Sequence, residues 1–410
     1  MLLCVYATLI VTVNQAQSPQ IISDTRYPIE TLSKSVVYGN GVYLSVLASN
    51  RIYRSTDAIN WSRVNTAPVA PGKYENAAFG AGVFVLVGAN GFISSSTDGI
   101  AWTTRLSGTT EHLKYVSFLN GNFYTTGANR TLLRSADGNN WAAIAINAGN
   151  ATDILGTMDY GGGTFAIAAR SGAGTSPSYI YYSNSGNSNS WSIYTGFPST
   201  YSINNLQYLK DRFYAFFIEP QVYTSANGAS WALASMTQTL PNGNTVSIGA
   251  SAGNQIYSGV YDGTNFHFYG YNNYFQGLNY SGRWQSANGT NLTLYNMGIL
   301  SQVGYRPLYA NGTYLLPGWG FSRSADGISY SYPTGSYKSV AANGSGYVGV
   351  GTVESSQGVI FTSTDFSTWF NRTPVGQKPL NGVTFDGSRY VAVGNGTVIQ
   401  SANNGVTWTE

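Results

Sequence analysis

The sequence predicts an all-β fold, a single β-propeller of about eight or nine four-stranded blades. One phrase of roughly 40 residues repeats along most of the chain, which is typical of a propeller blade. Glycine, which favours turns, and the aromatic residues are abundant, with 49 Gly, 32 Tyr, 18 Phe and 9 Trp among 410 residues. The apolar stretches are short and interrupted by glycine, so they do not fit the 3.6-residue period of helical repeats.

The repeating phrase is an aromatic residue, a glycine-containing turn, two short apolar strands and then Ser-x-Asp-Gly-x-x-Trp. It is clearest in the second unit, where Phe79 and Gly80 lead into VFVLVG and the unit closes with Ser96 to Trp102. The closing aromatic residues of nine units are Trp61, Trp102, Trp141, Trp191, Trp231, Trp284, Tyr330, Trp369 and Trp408. The sixth unit is degenerate, and we expect it to close near Trp284.

Each part of the phrase has a physical role. The Asn-Gly, Asp-Gly and Gly-x-Gly turns supply the positive φ angles that two-residue hairpins need, so they join the first two strands of a blade. Stretches such as VYLSV and VFVLV are apolar at nearly every position, as expected of strands that are buried on both faces. The Asp of the closing turn can accept backbone N–H bonds, and the Trp then begins the outer strand.

These repeats resemble the Asp-box, or bacterial neuraminidase, repeat of sialidase-like and photosystem II assembly-factor-like propellers. The resemblance covers roughly residues 33–410. The family's pattern has an additional residue between Asp and Gly, and only the last unit, Ser401 to Trp408, keeps that length, with Asn in place of Asp. The resemblance implies the propeller fold, because the box is a structural turn in that family.

Nine units exceed the usual four to eight blades of a propeller. The ring has nine blades, or the sixth unit is an insertion that leaves eight, or some units pair outside the ring. A single ring of eight or nine blades is the preferred interpretation. Closure is then of blade against blade, or a strand from residues 1–30 completes the last blade.

The N-terminal 18 residues are a signal peptide or an apolar N-terminal strand. Residues 2–13 (LLCVYATLIVTV) are apolar and too short to span a bilayer comfortably, but they match the core of a signal peptide. No Lys or Arg precedes them. Residues 19–32 form an extended lead-in, and residues 33–410 form the propeller repeats. The prediction is therefore a secreted or cell-surface protein without a membrane span.

Composition excludes several classes of site. Charged residues make up 9% of the chain and the net charge of +3 is dispersed, so the basic cluster of a nucleic-acid-binding protein is missing. Cys4 is the only cysteine and His112 and His267 are the only histidines, which argues against an internal disulfide and a zinc site. No cofactor is implied. The Asn-x-Ser/Thr sequons, such as Asn129 and Asn279, would be glycosylated in a secreted eukaryotic chain.

The stretch from 261 to 320 departs from the repeat and is rich in aromatic residues. Departures from a repeat are where binding loops are inserted, and exposed Tyr and Trp suit stacking against sugar or peptide. The predicted ligand-binding residues are therefore Tyr271, Tyr274, Trp284 and Trp319. The alternative is that these rings fill the core of an irregular blade.

A sialidase-type glycoside hydrolase is the enzyme that the resemblance would imply. Arg26-Tyr27-Pro28 stands where that family places its first arginine, but an extended linker before a proline explains the same residues. No pair of carboxylates is evident in the sequence. We therefore predict a non-catalytic propeller that binds glycan or an extracellular protein. The alternatives are a self-associating structural subunit of an extracellular filament or assembly, and the hydrolase.

Overall fold

The computed structural model describes residues 33–58, 61–172, 178–239, 245–248, 254–272, 280–296, 307–316, 322–324, 337–353, 357–364, 370–374, 377–394 and 396–410. These residues form β-strands and no helix, in nine sheets that follow one another along the chain. The predicted all-β architecture of four-stranded repeats is confirmed. No described segment is a helix long and apolar enough to cross a bilayer.

The first five sheets each have four antiparallel strands in sequence order. The first contains β1 (Ser33–Gly39), β2 (Val42–Leu47), β3 (Ile52–Ser55) and β4 (Ser62–Arg63). The second contains β5 (Tyr74–Gly80), β6 (Val83–Gly88), β7 (Ile93–Ser96) and β8 (Thr103–Arg105). The third contains β9 (Leu113–Leu119), β10 (Asn122–Gly127), β11 (Leu132–Ser135) and β12 (Ala142–Ala143). The fourth contains β13 (Ile154–Gly161), β14 (Thr164–Arg170), β15 (Ser178–Ser183) and β16 (Ser192–Tyr194). The fifth contains β17 (Ile203–Leu209), β18 (Arg212–Phe217), β19 (Val222–Ser225) and β20 (Ala232–Leu233).

The remaining sheets depart from this pattern. The sixth has six strands, β21 (Thr237–Thr239), β22 (Thr245–Ser247), β23 (Asn254–Tyr261), β24 (Phe266–Asn272), β25 (Tyr280–Ser286) and β26 (Asn291–Asn296). The seventh contains β27 (Leu308–Ala310), β28 (Thr313–Leu316) and β29 (Ser322–Ser324). The eighth contains β30 (Tyr337–Ala342), β31 (Tyr347–Val353), β32 (Gln357–Ser363) and β33 (Phe370–Asn371). The ninth contains β34 (Gly382–Phe385), β35 (Tyr390–Gly394) and β36 (Thr397–Ser401).

The sixth sheet is irregular because an additional hairpin, β21–β22, extends its outer edge, with β21 parallel to β26. The expectation that this unit closes near Trp284 is wrong, since Trp284 lies in β25, the strand before the closing turn. The closing turn follows at Ser286 to Gly289, where Asn288 Oδ1 accepts the N–H groups of Thr290 and Asn291. The missing tryptophan concealed this turn in the sequence, because Leu292 stands in the Trp place.

The Ser-x-Asp-Gly turns have the geometry that their residue types predict. In the second sheet, Ser96 Oγ donates to Asp98 Oδ1 at 2.9 Å and accepts from the Gly99 N–H at 2.9 Å. Asp98 Oδ1 also accepts the N–H groups of the two residues after Gly99, at 2.8 and 2.9 Å. The Trp102 indole N–H then donates to the Gly99 carbonyl at 3.1 Å. Asn227 makes the same bonds without a charge in the fifth sheet.

The core lies between the sheets, which stack face on face around the molecule. In every sheet but the eighth, an aromatic near the end of the inner strand (β23 in the sixth sheet) pairs with an aromatic on the following strand. The pairs are Tyr38–Tyr43, Phe79–Phe84, Phe118–Phe123, Tyr160–Phe165, Tyr208–Phe213, Tyr261–Phe266, Tyr309–Tyr314 and Phe385–Tyr390. In several sheets the first ring of the pair lies over a glycine of the preceding sheet, as Phe79 lies over Gly39 and Phe118 over Gly80. A Cβ at either glycine would overlap that ring.

The described contacts close the ring between the seventh and the first sheets. The inner strands touch in the order β1, β5, β9, β13, β17, β23, β27 and then β1 again. Leu315 of β28 is fully buried in one cluster with Tyr43 and Trp61 of the first sheet, and Tyr38 and Ala310 pack against it. Tyr43 Oη also donates to the Ala310 carbonyl at 3.2 Å.

Among the described residues, the eighth and ninth sheets share one buried core with each other. Val348, Ile360 and Tyr390 are among its buried residues. These contacts favour the alternative in which two units pair outside the ring over the preferred single ring of eight or nine blades. The physical reason is visible in the eighth unit, where Ala342 replaces the aromatic that would cover the preceding sheet.

Candidate functional site

The inner strands of the first seven sheets surround a central channel. Its cavity has a volume of about 740 Å³. Residues of the inner strands of the first six sheets line it, together with Pro307 and Leu308 at the start of β27. In a propeller, every inner strand presents side chains to this one space, so residues far apart in the sequence meet there. The channel is therefore the place where the ring can assemble a composite site.

A β-bulge near the start of the inner strand recurs in the ring and shapes one mouth of the channel. The register shifts by one residue at Lys34, Glu75, Lys114, Asn204 and Tyr257 in five of the sheets. The fourth sheet has its shift between Leu155 and Met158. Bulges redirect side chains and often lie beside functional sites. The residues at these bulges are polar or charged, although the strands that contain them are otherwise largely apolar.

Charged side chains meet at this mouth although they are scarce in the chain. Lys34 Nζ lies 2.6 Å from Glu75 Oε2 and also donates a 3.3 Å hydrogen bond to the Tyr74 carbonyl. His112 Nε2 lies 3.2 Å from the other oxygen, Glu75 Oε1, although the geometry of that approach is not that of a hydrogen bond. Glu75 is thus held by a cation on one side of the mouth.

A cleft of about 340 Å³ extends from the same mouth across the third, fourth and fifth sheets. It shares Tyr115, Thr157, Asn204 and Ile218 with the channel lining. Two cationic residues line it, Lys114 and Arg170. Burial lowers the pKa of Lys114, and the positive charge of Arg170 lowers it further.

Polar side chains deeper in the channel form hydrogen bonds that connect neighbouring sheets. Asp159 accepts the Tyr208 N–H at 3.0 Å, and Thr157 accepts the Leu206 N–H at 2.8 Å. Gln207 donates to the Gly259 carbonyl and accepts its N–H, both at 2.9 Å. These bonds hold adjacent inner strands in register, so the lining below the mouth is structural.

Two further clusters of ionisable residues are buried between strands. Asp153 is fully buried and accepts a 2.5 Å hydrogen bond from Tyr181 Oη. Asp262 accepts from Tyr314 and lies 2.7 Å from His267 Nε2, while Arg283 contacts the other ring nitrogen at 3.1 Å. Among the described residues, no group of three or more His, Cys, Asp and Glu could hold a metal ion.

Of the four predicted ligand-binding residues, the structure describes the side chain of Trp284 alone. Trp284 is fully buried, and its indole N–H donates to Gln238 Oε1 at 2.9 Å, so it lies in the core as the alternative interpretation expected. Tyr271 belongs to β24, and its side chain is outside the described residues, as are Tyr274 and Trp319. Arg26 also lies outside them. Binding at Tyr271, Tyr274 and Trp319 stays a prediction.

No protein-family model matches this sequence, and no curated protein matches it. Solved structures do match. A structure of YCF48 bound to D1 peptide has a TM-score of 0.50 and 12% identity over 72% of this chain and 92% of that one. The WD40 β-propeller domain of Doa1 has a TM-score of 0.50 and 11% identity over 73% of this chain and 96% of that one.

An ancestral GH74 enzyme matches with a TM-score of 0.53 and 12% identity over 93% of this chain. The match covers 63% of the enzyme's own length, so this chain corresponds to less than two thirds of it. The fold is a β-propeller. At these identities the likeness establishes the fold alone, and the predicted resemblance to propellers of this kind is confirmed at that level.

Sequence reasoning missed the residues of the channel mouth. Lys34, Lys114 and Arg170 are isolated charges in the sequence, separated by tens of residues. A usable signal exists in retrospect, because Lys34, Glu75 and Lys114 stand at equivalent places at the start of successive inner strands. A charge at a fixed position of a repeat indicates one shared location in the ring.

Proposed function

We propose that this propeller is a non-catalytic binding protein that holds an extended segment of a protein partner at the mouth of its channel. The observation that carries the proposal is the cleft that runs from the 740 Å³ channel across the third to fifth sheets. A groove continuous with a central channel suits an elongated ligand. The neighbouring structure of YCF48 contains a bound peptide, which supports a protein partner for a propeller of this kind.

The test is a selection of peptides from a displayed random library on the purified protein. Ile218 is 52% exposed in the cleft, whereas Val69 is 95% exposed on the connection between the first two sheets. We expect Ile218→Asp to abolish binding of the selected peptides and Val69→Asp to leave it intact. A selection that yields no peptides, or equal loss in both variants, would contradict the proposal.

Glycan binding is the alternative, and it depends on the aromatic stretch rather than the cleft. Tyr271, Tyr274 and Trp319 belong to the sixth and seventh repeats, and sugars stack on such rings. A glycan array would test it, with Tyr274→Ala and Trp319→Ala as the variants. Glycan binding that these substitutions remove, without any selected peptide, would favour this alternative.

The proposal that the protein is non-catalytic is supported by the contacts of two carboxylates, Glu75 at the mouth and Asp159 deeper in the channel. Glu75 is paired with Lys34, and both oxygens of Asp159 accept backbone N–H groups, from Tyr160 and Tyr208. Glycoside hydrolysis needs a carboxyl group that gives up a proton and a second carboxylate about 5 to 10 Å away. Turnover of an aryl sialoside or an aryl glucoside, lost on Glu75→Gln, would contradict the proposal.

We also propose that the protein acts outside the cell, because its apolar N-terminal run matches a signal-peptide core. N-terminal sequencing of the native protein tests this, with a start near residue 17 or 19 as the expected result. Electron microscopy of the same sample tests the self-assembly alternative. Filaments whose chains retain residues 1–16 would favour assembly over secretion of a processed protein.

A further inference from the structure

One amide group in the wall of the channel differs from its neighbours in its hydrogen bonding. Asn205 of β17 is 2% exposed and lines the 740 Å³ cavity. Its Oδ1 is buried and has no hydrogen-bond partner among the described residues. A buried oxygen without a partner costs free energy and is rare in folded proteins, so such a group is a candidate for binding a ligand.

Other amide side chains of the inner strands are bonded to the adjacent sheet. Gln207, two residues further along β17 and 3% exposed, donates to the Gly259 carbonyl and accepts its N–H. Asn76 Oδ1, also in the channel lining, accepts the Val116 N–H at 3.2 Å. No described residue holds Asn205 Oδ1 in this way. Because the terminal torsion of Asn is broad, rotation can turn either the oxygen or the NH₂ group of Asn205 towards the channel.

The charges of the channel exclude a charged ligand group beside Asn205. Two charged residues, Lys34 and Asp159, belong to the described lining, and both have partners. Lys34 lies 2.6 Å from Glu75, and Asp159 accepts backbone N–H groups. A charged group would lose its hydration here without gaining an unpaired counter-charge. The group that fits this part of the channel is therefore polar and uncharged.

Asn205 also lies next to the cleft in which we place the partner segment. The two residues before it in β17, Ile203 and Asn204, line the cleft, and Asn204 lines the channel as well. Thr157 lines both cavities, and its hydroxyl accepts the Leu206 N–H at 2.8 Å, which leaves its O–H to donate. A side chain that points from the cleft into the channel therefore enters beside Asn205.

Hydrogen-bond geometry distinguishes the uncharged groups that a peptide offers. A primary carboxamide has an N–H on the same side as its oxygen, so two carboxamides form two reciprocal hydrogen bonds. A trans peptide group has its N–H and C=O on opposite sides and cannot pair in this way. A hydroxyl must donate and accept through one oxygen. The amide of Asn205 is therefore matched best by the side chain of Asn or Gln.

We propose that the channel receives an Asn or Gln side chain of the bound peptide, whose carboxamide forms reciprocal hydrogen bonds with the amide of Asn205. This inference rests on the proposed function of the mouth and specifies one residue that the partner must contain. The Thr157 O–H is placed to donate to the second lone pair of the same carboxamide oxygen.

The probes are the peptides that the purified protein selects from a displayed random library, resynthesised with each Gln replaced by Met and each Asn by Leu. These replacements keep the size of the side chain and remove its polar atoms. We expect one replacement to weaken binding about tenfold, because it removes two neutral hydrogen bonds. Asn205→Leu should weaken binding of the original peptide equally and should cause no further loss with the replaced peptide, since both changes remove the same contact.

Gln207→Leu is the matched control, because Gln207 is an equally buried amide on the same strand whose bonds are internal. It should lower the thermal midpoint and leave the peptide affinity unchanged. Asn205→Leu should not lower the midpoint, because it removes a buried oxygen that has no described partner. Equal falls in midpoint for the two variants would overturn the inference, because Asn205 would then be a structural residue.

The other outcomes separate the inference from the function on which it rests. Selected peptides without Asn or Gln, or an affinity that Asn205→Leu does not change, overturn the inference but leave the proposed peptide-binding function standing. Losses from Asn205→Leu and from the peptide replacement that simply add also overturn it, because the two groups then do not touch. A library that yields no peptide overturns both. Circular dichroism of each variant confirms that the ring is folded before its affinity is compared.

Discussion

Closure of the ring between the seventh and first sheets makes Tyr38→Ala the most informative perturbation. The Tyr38 ring is half-buried, lies 4.4 Å from the Tyr43 ring and packs in the cluster that contains Leu315. Removing a fully buried aromatic side chain costs about 3 to 5 kcal/mol, so a half-buried ring is worth about 2 kcal/mol. For a ring of this size that lowers the thermal midpoint by roughly 4 °C.

Phe79→Ala is the matched control, because Phe79 has the same position between the first and second sheets. Its ring is also half-buried and lies 4.7 Å from the Phe84 ring. If the ring is closed at the seventh sheet, the two substitutions destabilise to a similar extent in urea or thermal unfolding. A Tyr38→Ala protein as stable as wild type, beside a destabilised Phe79→Ala protein, would refute closure at this point.

A double-mutant cycle with Leu315→Ala isolates the contact between the two ends of the ring. Tyr38 and Leu315 lie in sheets that are far apart in sequence and meet only if the ring closes. Residues in contact couple by about 0.5 to 3 kcal/mol, whereas independent sites add within about 0.5 kcal/mol. Additive effects in this cycle would show that the seventh sheet does not pack on the first.

Two further predictions concern the turns and the ring interface. Asp98→Asn should leave stability at pH 7 nearly unchanged, because Asn227 makes the same bonds elsewhere, whereas Asp98→Ala should cost about 1 to 2 kcal/mol in urea unfolding by removing the hydrogen bonds to two exposed N–H groups. For Asp262, burial raises the pKa, but hydrogen bonds from backbone N–H groups, Tyr314 and His267 outweigh it and lower the pKa to about 2. Because this folded-state pKa lies below the unfolded value, the contribution is complete above about pH 4 and is lost as pH falls towards 2. Thermal midpoints should therefore fall less steeply between pH 4 and 2 in Asp262→Asn than in wild type, and parallel curves would contradict this assignment.

The sequence by itself determined the repeat and its local structure. Hairpin turns such as Asn40-Gly41, with φ angles of 48° and 75°, follow from residue type because few residues adopt positive φ. The Ser96 to Trp102 turn follows for the same reason, since its hydrogen bonds join residues at most three apart. The all-β fold and the propeller could therefore be predicted from local signals repeated along the chain.

Only the tertiary structure decided how many sheets surround the channel and which residues meet there. Closure depends on Tyr38 reaching the cluster around Leu315, a contact between the two ends of the ring that periodicity does not encode. The place of Trp284 depended on a hairpin that extends the sixth sheet. The site at the mouth likewise combines Lys114 and Arg170 through the stacking of neighbouring sheets. Local sequence specifies turns and strands because their bonds are local, whereas the channel exists only once seven sheets pack together.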